Sequence, residues 1–430
     1  VALLLQLADI FDLKLTDLAD DDHSQLLANL MDVFGDDLFS SHDIKNTDVQ
    51  ELVVSNAPIA RAVLHLHDIC RNLRSDVHSL TEQIDDRTQA QLDSTVTRLA
   101  AEQVSDFLQA NSNYFQPLEE AAARVRADID TGEASAFAGM SSFLTNAFGV
   151  TLHWVPAGPE QSTLRHYDEN TQRLNVSRLL SPASQNFQIA NQIGLLAAKT
   201  EIAQLVDGAG YLDDDARVLA RIALANYFAA SLLMPYETFH ERAVALRYDL
   251  DLLCHHFDAS FEQVCHRFTT LQRPGLRGIP FHMLRVDIAG NISKQFSLSG
   301  LHIPRQGAAC PRWNVYTAFL QPGMINVQVS KMPDGIAFLC MARTVLKGTR
   351  GHNTPQRFMS IGIGCEVGHA RDMVYADGIH LDDADAAVPI GGSCRTCPRM
   401  DCEHRAFPPV THKLTLNENI RGLSAYVAPD

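Results

Sequence analysis

The sequence has little of the basic charge that nucleic-acid-binding and membrane-binding surfaces need. Its 35 Lys and Arg residues stand against 51 Asp and Glu residues, which gives a formal net charge of −16 over 430 residues. A surface that neutralises nucleic-acid phosphates is rich in Lys and Arg, and so is a surface that binds anionic lipid. The acidic balance therefore argues against both functions for these residues.

Cysteine is also scarce, and long apolar runs are absent. Nine cysteines in 430 residues are too few for a disulfide scaffold, and an odd number cannot all pair. The longest apolar stretch, Ile222–Met234, has the length of a buried core helix and is interrupted by Asn226. The first residues, VALLLQLADIFDL, lack the basic start and cleavage site of a signal peptide. We therefore expect a cytoplasmic protein with no membrane segment.

The residues that are present predict an α+β protein of several domains. Apolar residues recur at helical spacing before residue 128, where glycine is nearly absent, whereas glycine, proline and β-branched residues are frequent after residue 250. No internal repeat interrupts this order. The predicted regions are a short amphipathic segment (1–20), a helical linker or dimerisation region (21–128), a mixed region (129–250), a region of hairpins (251–355) and a cysteine-containing region (356–430).

Turn and stop signals predict individual elements in the later regions. FHMLRVDIAGNISKQFSL is typical of a hairpin turned at Gly290, and MINVQVSKMPDGIAFLCMARTV of one turned at Gly335. VTLHWV and LRHYDENTQRLNVS indicate short strands around a turn at Asp168. Two helices follow these strands, and Pro235 ends the second.

Four cysteines form the most specific motif in the chain. Cys365 precedes the run Cys394-x2-Cys397-x4-Cys402. Four convergent thiolates suit either tetrahedral zinc or an iron–sulfur cluster. The split of one plus three, the prolines that follow the run and the cationic side chains within it favour iron–sulfur, and zinc stays the alternative. Those cationic residues are Arg395, Arg399, His404 and Arg405.

The other five cysteines are scattered singly in apolar or mixed surroundings. Small buried side chains are the simplest interpretation of each of them. They are Cys70, Cys254, Cys265, Cys310 and Cys340.

One helix occupies the place of a zinc-peptidase helix but lacks the zinc chemistry. An H-E-x-x-H motif needs two imidazoles one turn apart and a glutamate that activates water. The matching positions in FQIANQIGLLA are Asn191, Gln192 and Leu195. We therefore predict no catalytic residues and no enzyme.

A glycine-containing run surrounds Cys365. Gly362-Ile363-Gly364-Cys365-Glu366-Val367-Gly368 has its final glycine one position too late for a dinucleotide fingerprint. We interpret it as a turn that delivers Cys365.

Several basic residues of the last two regions are candidates for anion binding. A pocket for a phosphorylated ligand needs such charges beside an apolar floor. An ordinary ion pair is the simpler interpretation of each one taken alone. The candidate ligand-binding residues are Arg285, Lys294, Arg312 and Arg371.

Three stretches carry a resemblance to a known family that spans nearly the whole chain. VALLLQLADIFDLKLTDL resembles the last part of an XRE-type helix-turn-helix domain, and LRHYDENTQRLNVSRLL with ANYFAASLLMP resembles the ImmA/IrrE peptidase-like fold without its metal ligands. GIGCEVGHARDMVYADG and PIGGSCRTCPRMDCEHRAFPP resemble the C-terminal signature of the short-chain fatty acyl-CoA regulators.

The resemblance implies a transcriptional regulator of propionate and short-chain fatty acid catabolism, through methylcitrate and glyoxylate pathway genes. It implies an acyl-CoA effector such as propionyl-CoA, a GAF-like sensing domain over 251–355, and a [4Fe–4S] cluster on Cys365, Cys394, Cys397 and Cys402. It also implies a homodimer that binds promoter DNA through a domain of which 1–20 is a remnant. A zinc-stabilised regulator of acetate and glyoxylate metabolism is one alternative, and a residual metallopeptidase or iron–sulfur enzyme is another.

Overall fold

The computed structural model divides the chain into two compact units, Val1–Val96 and Thr97–Asp430. The predicted segment 1–20 lies outside the described residues, so the structure leaves its helix-turn-helix interpretation as a prediction. The described residues are 26, 30, 33–34, 46–64, 66–67, 89–129, 135–156, 163–303, 309–347, 356–381, 387–395, 397–408 and 426.

The described part of the first unit is helical, as its apolar spacing predicts. Helix α1 spans Asn46–Ser55, and residues 57–64 are helical as well. The buried side chains of this unit include Leu30, Val49 and Val53, which form a small core of their own.

Eleven further helices of the described chain precede or border two sheets, and their order confirms an α+β architecture. Helix α2 crosses the boundary between the units. The helices before the second sheet are α2 Gln89–Ala110, α3 Gln116–Ile129, α4 Ala136–Phe148, α5 Pro182–Ala197, α6 Lys199–Gly208, α7 Asp214–Leu233, α8 Tyr236–Ala245, α9 Leu250–His256 and α10 Phe261–Thr269.

The first sheet has three short strands and confirms the predicted turn at Asp168. Strand β3, Arg173–Ser177, lies in the middle, parallel to β1, Thr151–Val155, and antiparallel to β2, Arg165–Asp168. The Asp168 carboxylate accepts the backbone N–H of Asn170 at 2.9 Å, which closes the turn between β2 and β3.

Helix α7 is the longest of the described helices that follow this sheet. It begins where the Asp213 carboxylate accepts the N–H of Ala216 at 2.7 Å, and it ends before Pro235, as predicted. It packs against α3 and α5. Within the described residues it is the one helix long and apolar enough to cross a bilayer, but more than half of its apolar window is buried in the protein. Its burial is that of a core helix.

The second sheet has six strands in the order β5-β4-β8-β7-β6-β9. Gly290 and Gly335 turn its two hairpins with φ of 86° and 93°, which confirms both predicted turns. The short helices α11, Asn314–Thr317, and α12, Val367–Ala370, border it. Its strands are β4 His282–Asp287, β5 Ile292–Ser297, β6 Asn326–Lys331, β7 Ala337–Lys347, β8 Arg357–Glu366 and β9 Val388–Pro389.

Alternating residues of these strands line two separate cores. Met283, Leu339 and Ile363 face the core that also contains residues of α8, α9 and α10. Leu284 and Cys340 face the core on the other side, which also contains Val315 of α11. The sheet therefore separates two hydrophobic cores, one on each of its faces.

The glycine run around Cys365 is part of a strand and not a turn, so that interpretation is wrong. Gly362 and Gly364 lie in β8, which is hydrogen-bonded between β4 and β7. A Cβ on Gly362 would lie 2.4 Å from Val315, and one on Gly364 would lie 2.6 Å from the Leu339 carbonyl oxygen. The glycines therefore allow neighbouring residues to pack closely against β8. Strand β8, with which the predicted region 356–430 begins, therefore belongs to the same sheet as the two hairpins.

Candidate functional site

The peptidase-like helices hold a closed network of amides where metal ligands would stand. Asn191 on α5 donates from Nδ2 to Asn226 Oδ1 on α7 at 2.8 Å. Asn191 and Gln192 are buried, whereas Leu195 is half-buried. The polar atoms of Asn191 thus pair within the protein, and these residues have none of the imidazole or carboxylate groups that bind zinc.

An arginine from the neighbouring strand supplies positive charge at this place. Arg165 on β2 donates to Asn191 Oδ1, and also to the Gln188 carbonyl oxygen at 3.2 Å. Burial lowers the pKa of Arg165 to about 10, so the guanidinium remains protonated at neutral pH. The positively charged guanidinium of Arg165 therefore lies beside the degenerate peptidase positions, where it would repel a metal ion.

The structure holds the three-cysteine loop through its backbone. Arg405 is buried and donates to the carbonyl oxygens of Cys394 at 2.6 Å and of Cys397 at 2.9 Å. Arg399 donates to the carbonyl oxygens of Ile390 at 3.3 Å and Lys331 at 3.2 Å, which fixes the loop to β6. These two arginines therefore fix the geometry of the loop through its backbone carbonyl oxygens.

Cys365 is not brought to the other three cysteines. Its side chain is buried in the core that faces α8–α10, and its Sγ lies 3.6 Å from Met373 Sδ. Burial raises the pKa of the Cys365 thiol above its usual range. Within the described chain no three His, Cys, Asp or Glu side chains converge closely enough to hold a metal ion.

Cys310 is the cysteine that lies beside the loop. Its backbone N–H donates to the Gly392 carbonyl oxygen at 3.1 Å. Burial raises the pKa of the Cys310 thiol, and the neighbouring thiols of Cys394 and Cys402 raise it further. Sequence reasoning treated Cys310 as a core residue, because no spacing rule connects it to a loop more than eighty residues later.

Arg285 and Lys294 form a charged cluster with two residues that sequence reasoning missed. The two are cross-strand neighbours on β4 and β5. Arg285 donates to Glu262 of α10 at 2.8 Å, and the ammonium of Lys347 on β7 pairs with the other oxygen of the same carboxylate. We call Glu262, Arg285, Lys294 and Lys347 the cationic cluster.

The cluster has three cations around one carboxylate. Burial opposes ionisation of Glu262, but Lys347, Arg285 and Lys294 outweigh it and lower the pKa of Glu262 to about 2. Burial lowers the pKa of Lys294 to about 8, and Arg285 and Lys347 contribute to that shift. The positive charge is therefore only partly compensated, which favours an added anion.

The other two candidate anion binders lie away from this cluster. Arg312 precedes α11, and its carbonyl oxygen accepts the side-chain amide of Gln328 at 3.1 Å. Arg371 directly follows α12 and is exposed. The structure therefore brings together two of the four candidate residues.

A cavity of about 840 Å³ lies among the helices of the peptidase-like region. Its lining includes Arg126, the stacked rings of Phe137 and Trp154, His256 at the end of α9, and Phe257 directly after it. This volume is in the range of small-molecule sites. The cavity is close to the start of α10, where Gln263 donates to the Ala183 carbonyl oxygen at 3.4 Å.

The degenerate peptidase-like helices precede a sheet that carries a partly compensated cationic cluster. The chain belongs to the short-chain fatty acyl-coenzyme A regulator family. Residues 270–426 match the C-terminal domain of these regulators, and residues 145–269 match the IrrE N-terminal-like domain.

Curated relatives are transcriptional regulators over nearly the whole chain. The chain is 36% identical to the HTH-type transcriptional regulator PrpR of Mycobacterium tuberculosis, over 97% of this chain and 85% of the relative. It is also 36% identical to RamB of that species, over 99% and 90%, and to the propionyl-CoA carboxylase regulator of Cereibacter sphaeroides, over 99% and 89%. The chain is therefore a transcriptional regulator.

A solved structure supports the fold. A Mycobacterium tuberculosis transcriptional regulator superposes with a TM-score of 0.72 at 38% identity, and covers 76% of this chain and 99% of its own.

Proposed function

We propose that this chain senses an acyl-CoA, with propionyl-CoA as the preferred probe, and regulates promoters of propionate and short-chain fatty acid catabolism as a homodimer. The names of the family and of the relatives support this class of effector. An effector of this kind acts by binding one conformational state more tightly than another. The observation that carries the proposal is the cationic cluster, because a CoA thioester is polyanionic.

The phosphates of the effector bind the cationic cluster. Arg285 and Lys347 keep 26% and 39% of their side-chain surface exposed, so a ligand can reach them from solvent. A guanidinium and two ammonium groups are the donors that phosphate oxygens prefer. The chain as a whole carries a net charge of −16, so this local surplus of positive charge distinguishes the cationic cluster as a place for an anion.

Calorimetry with propionyl-CoA, acetyl-CoA and CoA tests this site. We expect Arg285→Ala and Lys294→Ala each to weaken binding at least tenfold, because each loss removes one charged contact of about 1.5–3 kcal/mol. Arg312→Ala and Arg371→Ala are matched controls and should bind as the wild type does. Absence of binding by the wild-type chain would contradict the sensor function, and unchanged affinity in both cluster variants would contradict the site.

The cavity near α10 is the competing location. Trp154→Ala would weaken propionyl-CoA binding if the ligand enters that cavity, because the stacked indole of Trp154 is part of its wall. If only Trp154→Ala loses affinity for propionyl-CoA, the phosphates do not bind the cationic cluster and the whole ligand binds in the cavity. Loss in both sets of variants would place the phosphates on the cluster and the acyl part in the cavity.

We also propose that the cysteine loop carries an iron–sulfur cluster, with Cys394, Cys397 and Cys402 as three of its ligands. The donor chemistry fits, since thiolates bind iron–sulfur clusters and zinc. Gly391 leaves its Cβ position 2.8 Å from Cys397 Sγ, so a larger residue there would occupy the space beside this thiol. Anaerobically purified protein should contain iron and sulfide and absorb broadly in the visible region. Colourless protein with stoichiometric zinc would contradict the cluster and favour the zinc alternative.

A further inference from the structure

The cavity of about 840 Å³ is separate from the degenerate peptidase centre and from the cationic cluster. Its described lining contains neither Arg165 and Asn191 nor any member of the cluster. It lies where the ends of α3 and α7 meet the starts of α4, α5 and α8. Its volume is in the upper part of the range of about 300–1,000 Å³ for small-molecule sites, so the cavity has room for a ligand much larger than a propionyl group.

Most of the described cavity wall is apolar. The rings of Phe137 and Trp154 stack with their centroids 5.6 Å apart and an angle of 22° between their planes. Leu233 at the end of α7 and Phe257 directly after α9 also line the cavity. Such a wall stabilises a ligand by removing its hydrocarbon surface from water. The cavity therefore favours a ligand with an extended apolar body.

Arg126, in the last turn of α3, brings a positive charge to this wall. Its Nη1 donates to the Leu232 carbonyl oxygen at 3.0 Å, which fixes the guanidinium at the end of α7. Helices α4, α5 and α8 begin beside the cavity, and the positive ends of helices attract anions. His256 is a second basic residue of the described lining, and Asp258 is its acidic residue. This balance suits a ligand with one negative charge, whereas a polyanion such as a CoA thioester needs several cations.

We infer that the cavity is a second ligand site, which binds an amphipathic monocarboxylate whose hydrocarbon body is longer than a short acyl chain. The carboxylate binds Arg126, because a guanidinium matches the two oxygens of a carboxylate. The hydrocarbon body lies along Trp154. A free fatty acid has this chemistry. The inference goes beyond the proposed function, because it gives the regulator a ligand other than a CoA thioester.

Tryptophan fluorescence of the whole chain tests the site with decanoate, decanol and propionate, each kept below micelle formation. Trp154 is in the cavity wall, whereas Trp313 is buried in a core beside the second sheet. We expect decanoate to change the emission saturably. Decanol has no charge and should bind about tenfold more weakly, because a charged hydrogen bond is lost. Propionate has no extended body and should give no saturable change.

Trp154→Phe shows whether the emission change arises in the cavity. This variant keeps an aromatic ring in the wall, so it should still bind decanoate in calorimetry but lose most of the emission change. An emission change that persists in Trp154→Phe would overturn the inference. Absence of decanoate binding by the wild type, or equal affinity for decanoate and decanol, would overturn it as well.

Arg126→Gln tests the carboxylate contact, and Arg124→Gln is the matched control on the same helix. Arg124 pairs with Glu201 and keeps 62% of its side-chain surface exposed. We expect Arg126→Gln to bind decanoate about tenfold more weakly, for the same loss of a charged contact, and to bind decanol as the wild type does. Unchanged decanol binding also shows that the cavity is intact. Equal decanoate affinity in the two variants would overturn the inference. Loss of both ligands in Arg126→Gln would do so too, since Arg126 would then support the wall and not the carboxylate.

Competition separates this site from the proposed acyl-CoA site. Propionyl-CoA should not displace decanoate, and Arg285→Ala should bind decanoate as the wild type does. Displacement of decanoate by propionyl-CoA would make the cavity part of the acyl-CoA site and overturn the second site. A chain that binds decanoate but not propionyl-CoA supports the second site and contradicts only the proposed function.

Discussion

Arg267 and Glu119 form a buried, two-pronged ion pair. Nη1 lies 2.7 Å from Oε1 and Nη2 lies 3.0 Å from Oε2, and the two side chains are 0% and 5% exposed. Arg267 also donates to the Met234 carbonyl oxygen, and the Tyr227 hydroxyl donates to Glu119. The pair joins α10, which precedes the second sheet, to α3 at the start of the peptidase-like helices. The ion pair is therefore positioned to hold α3 and α10 in one arrangement.

Breaking this pair should destabilise the fold strongly. Glu119→Gln leaves the buried guanidinium without its counter-charge, and we expect a loss of about 3–5 kcal/mol in the free energy of unfolding. Urea unfolding followed by circular dichroism measures the loss. The matched control is Asp377→Asn, since Asp377 pairs with Arg247 in solvent and such pairs contribute about 0–1 kcal/mol. Equal losses in the two variants would contradict a structural role for the buried pair.

The glycines of β8 give a second prediction about stability. Gly362→Ala places a methyl group 2.4 Å from Val315, so we expect a loss of about 1–3 kcal/mol through overpacking. Gly368→Ala is the control, because a Cβ at that position meets nothing within 4 Å. Thermal unfolding compares the two variants. A Gly362→Ala protein as stable as the Gly368→Ala protein would show that α11 does not require this close approach.

The degenerate peptidase centre should depend on its guanidinium. Arg165→Leu leaves the buried Asn191 amide oxygen without its donor, and an unsatisfied buried group costs about 1–3 kcal/mol. Arg173→Leu is the control, since Arg173 is exposed on the neighbouring strand β3. Urea unfolding measures both changes. If Arg165→Leu is no less stable than Arg173→Leu, the network around Asn191 does not contribute to the fold.

Effector affinity should depend on pH through Lys294. Its pKa of about 8 means that it is protonated below pH 8 and neutral above, so propionyl-CoA affinity should fall as pH rises from 7 to 9. Glu262 stays ionised throughout, because its pKa is about 2, and His266 stays neutral because burial lowers its pKa well below the usual range.

Lys294→Arg isolates this effect, because arginine stays charged over the whole interval. Calorimetry at pH 7, 8 and 9 should show affinity that falls in the wild type and is much flatter in Lys294→Arg. Parallel curves for the two proteins would assign the pH dependence to another group.

The sequence predicted those features that depend on local pattern. Gly290 and Gly335 mark hairpins because two-residue turns require positive φ, and Pro235 marks the end of α7 because a proline cannot continue a helix. The loss of peptidase chemistry was also predictable, since Leu195 can neither bind zinc nor move a proton.

The features that the sequence did not predict depend on contacts between distant segments. Glu262 pairs with Arg285 and Lys347 only because α10 packs on the face of the sheet from which these two side chains project. The face on which Cys365 lies is set by its register against Leu339, and no spacing between cysteines reveals it. Glycines before Cys365 suggested a turn, although they permit close packing of a central strand.

The central claim is that the cationic cluster binds the phosphates of an acyl-CoA, and a comparison of two ligands tests it most directly. Propionyl-CoA and S-propionyl-pantetheine share the acyl group, but only propionyl-CoA carries phosphates. Calorimetry of both ligands should show that the wild type prefers propionyl-CoA by at least a hundredfold, and that this preference largely disappears in the double variant Arg285→Ala/Lys294→Ala. An undiminished preference in the double variant would contradict the account.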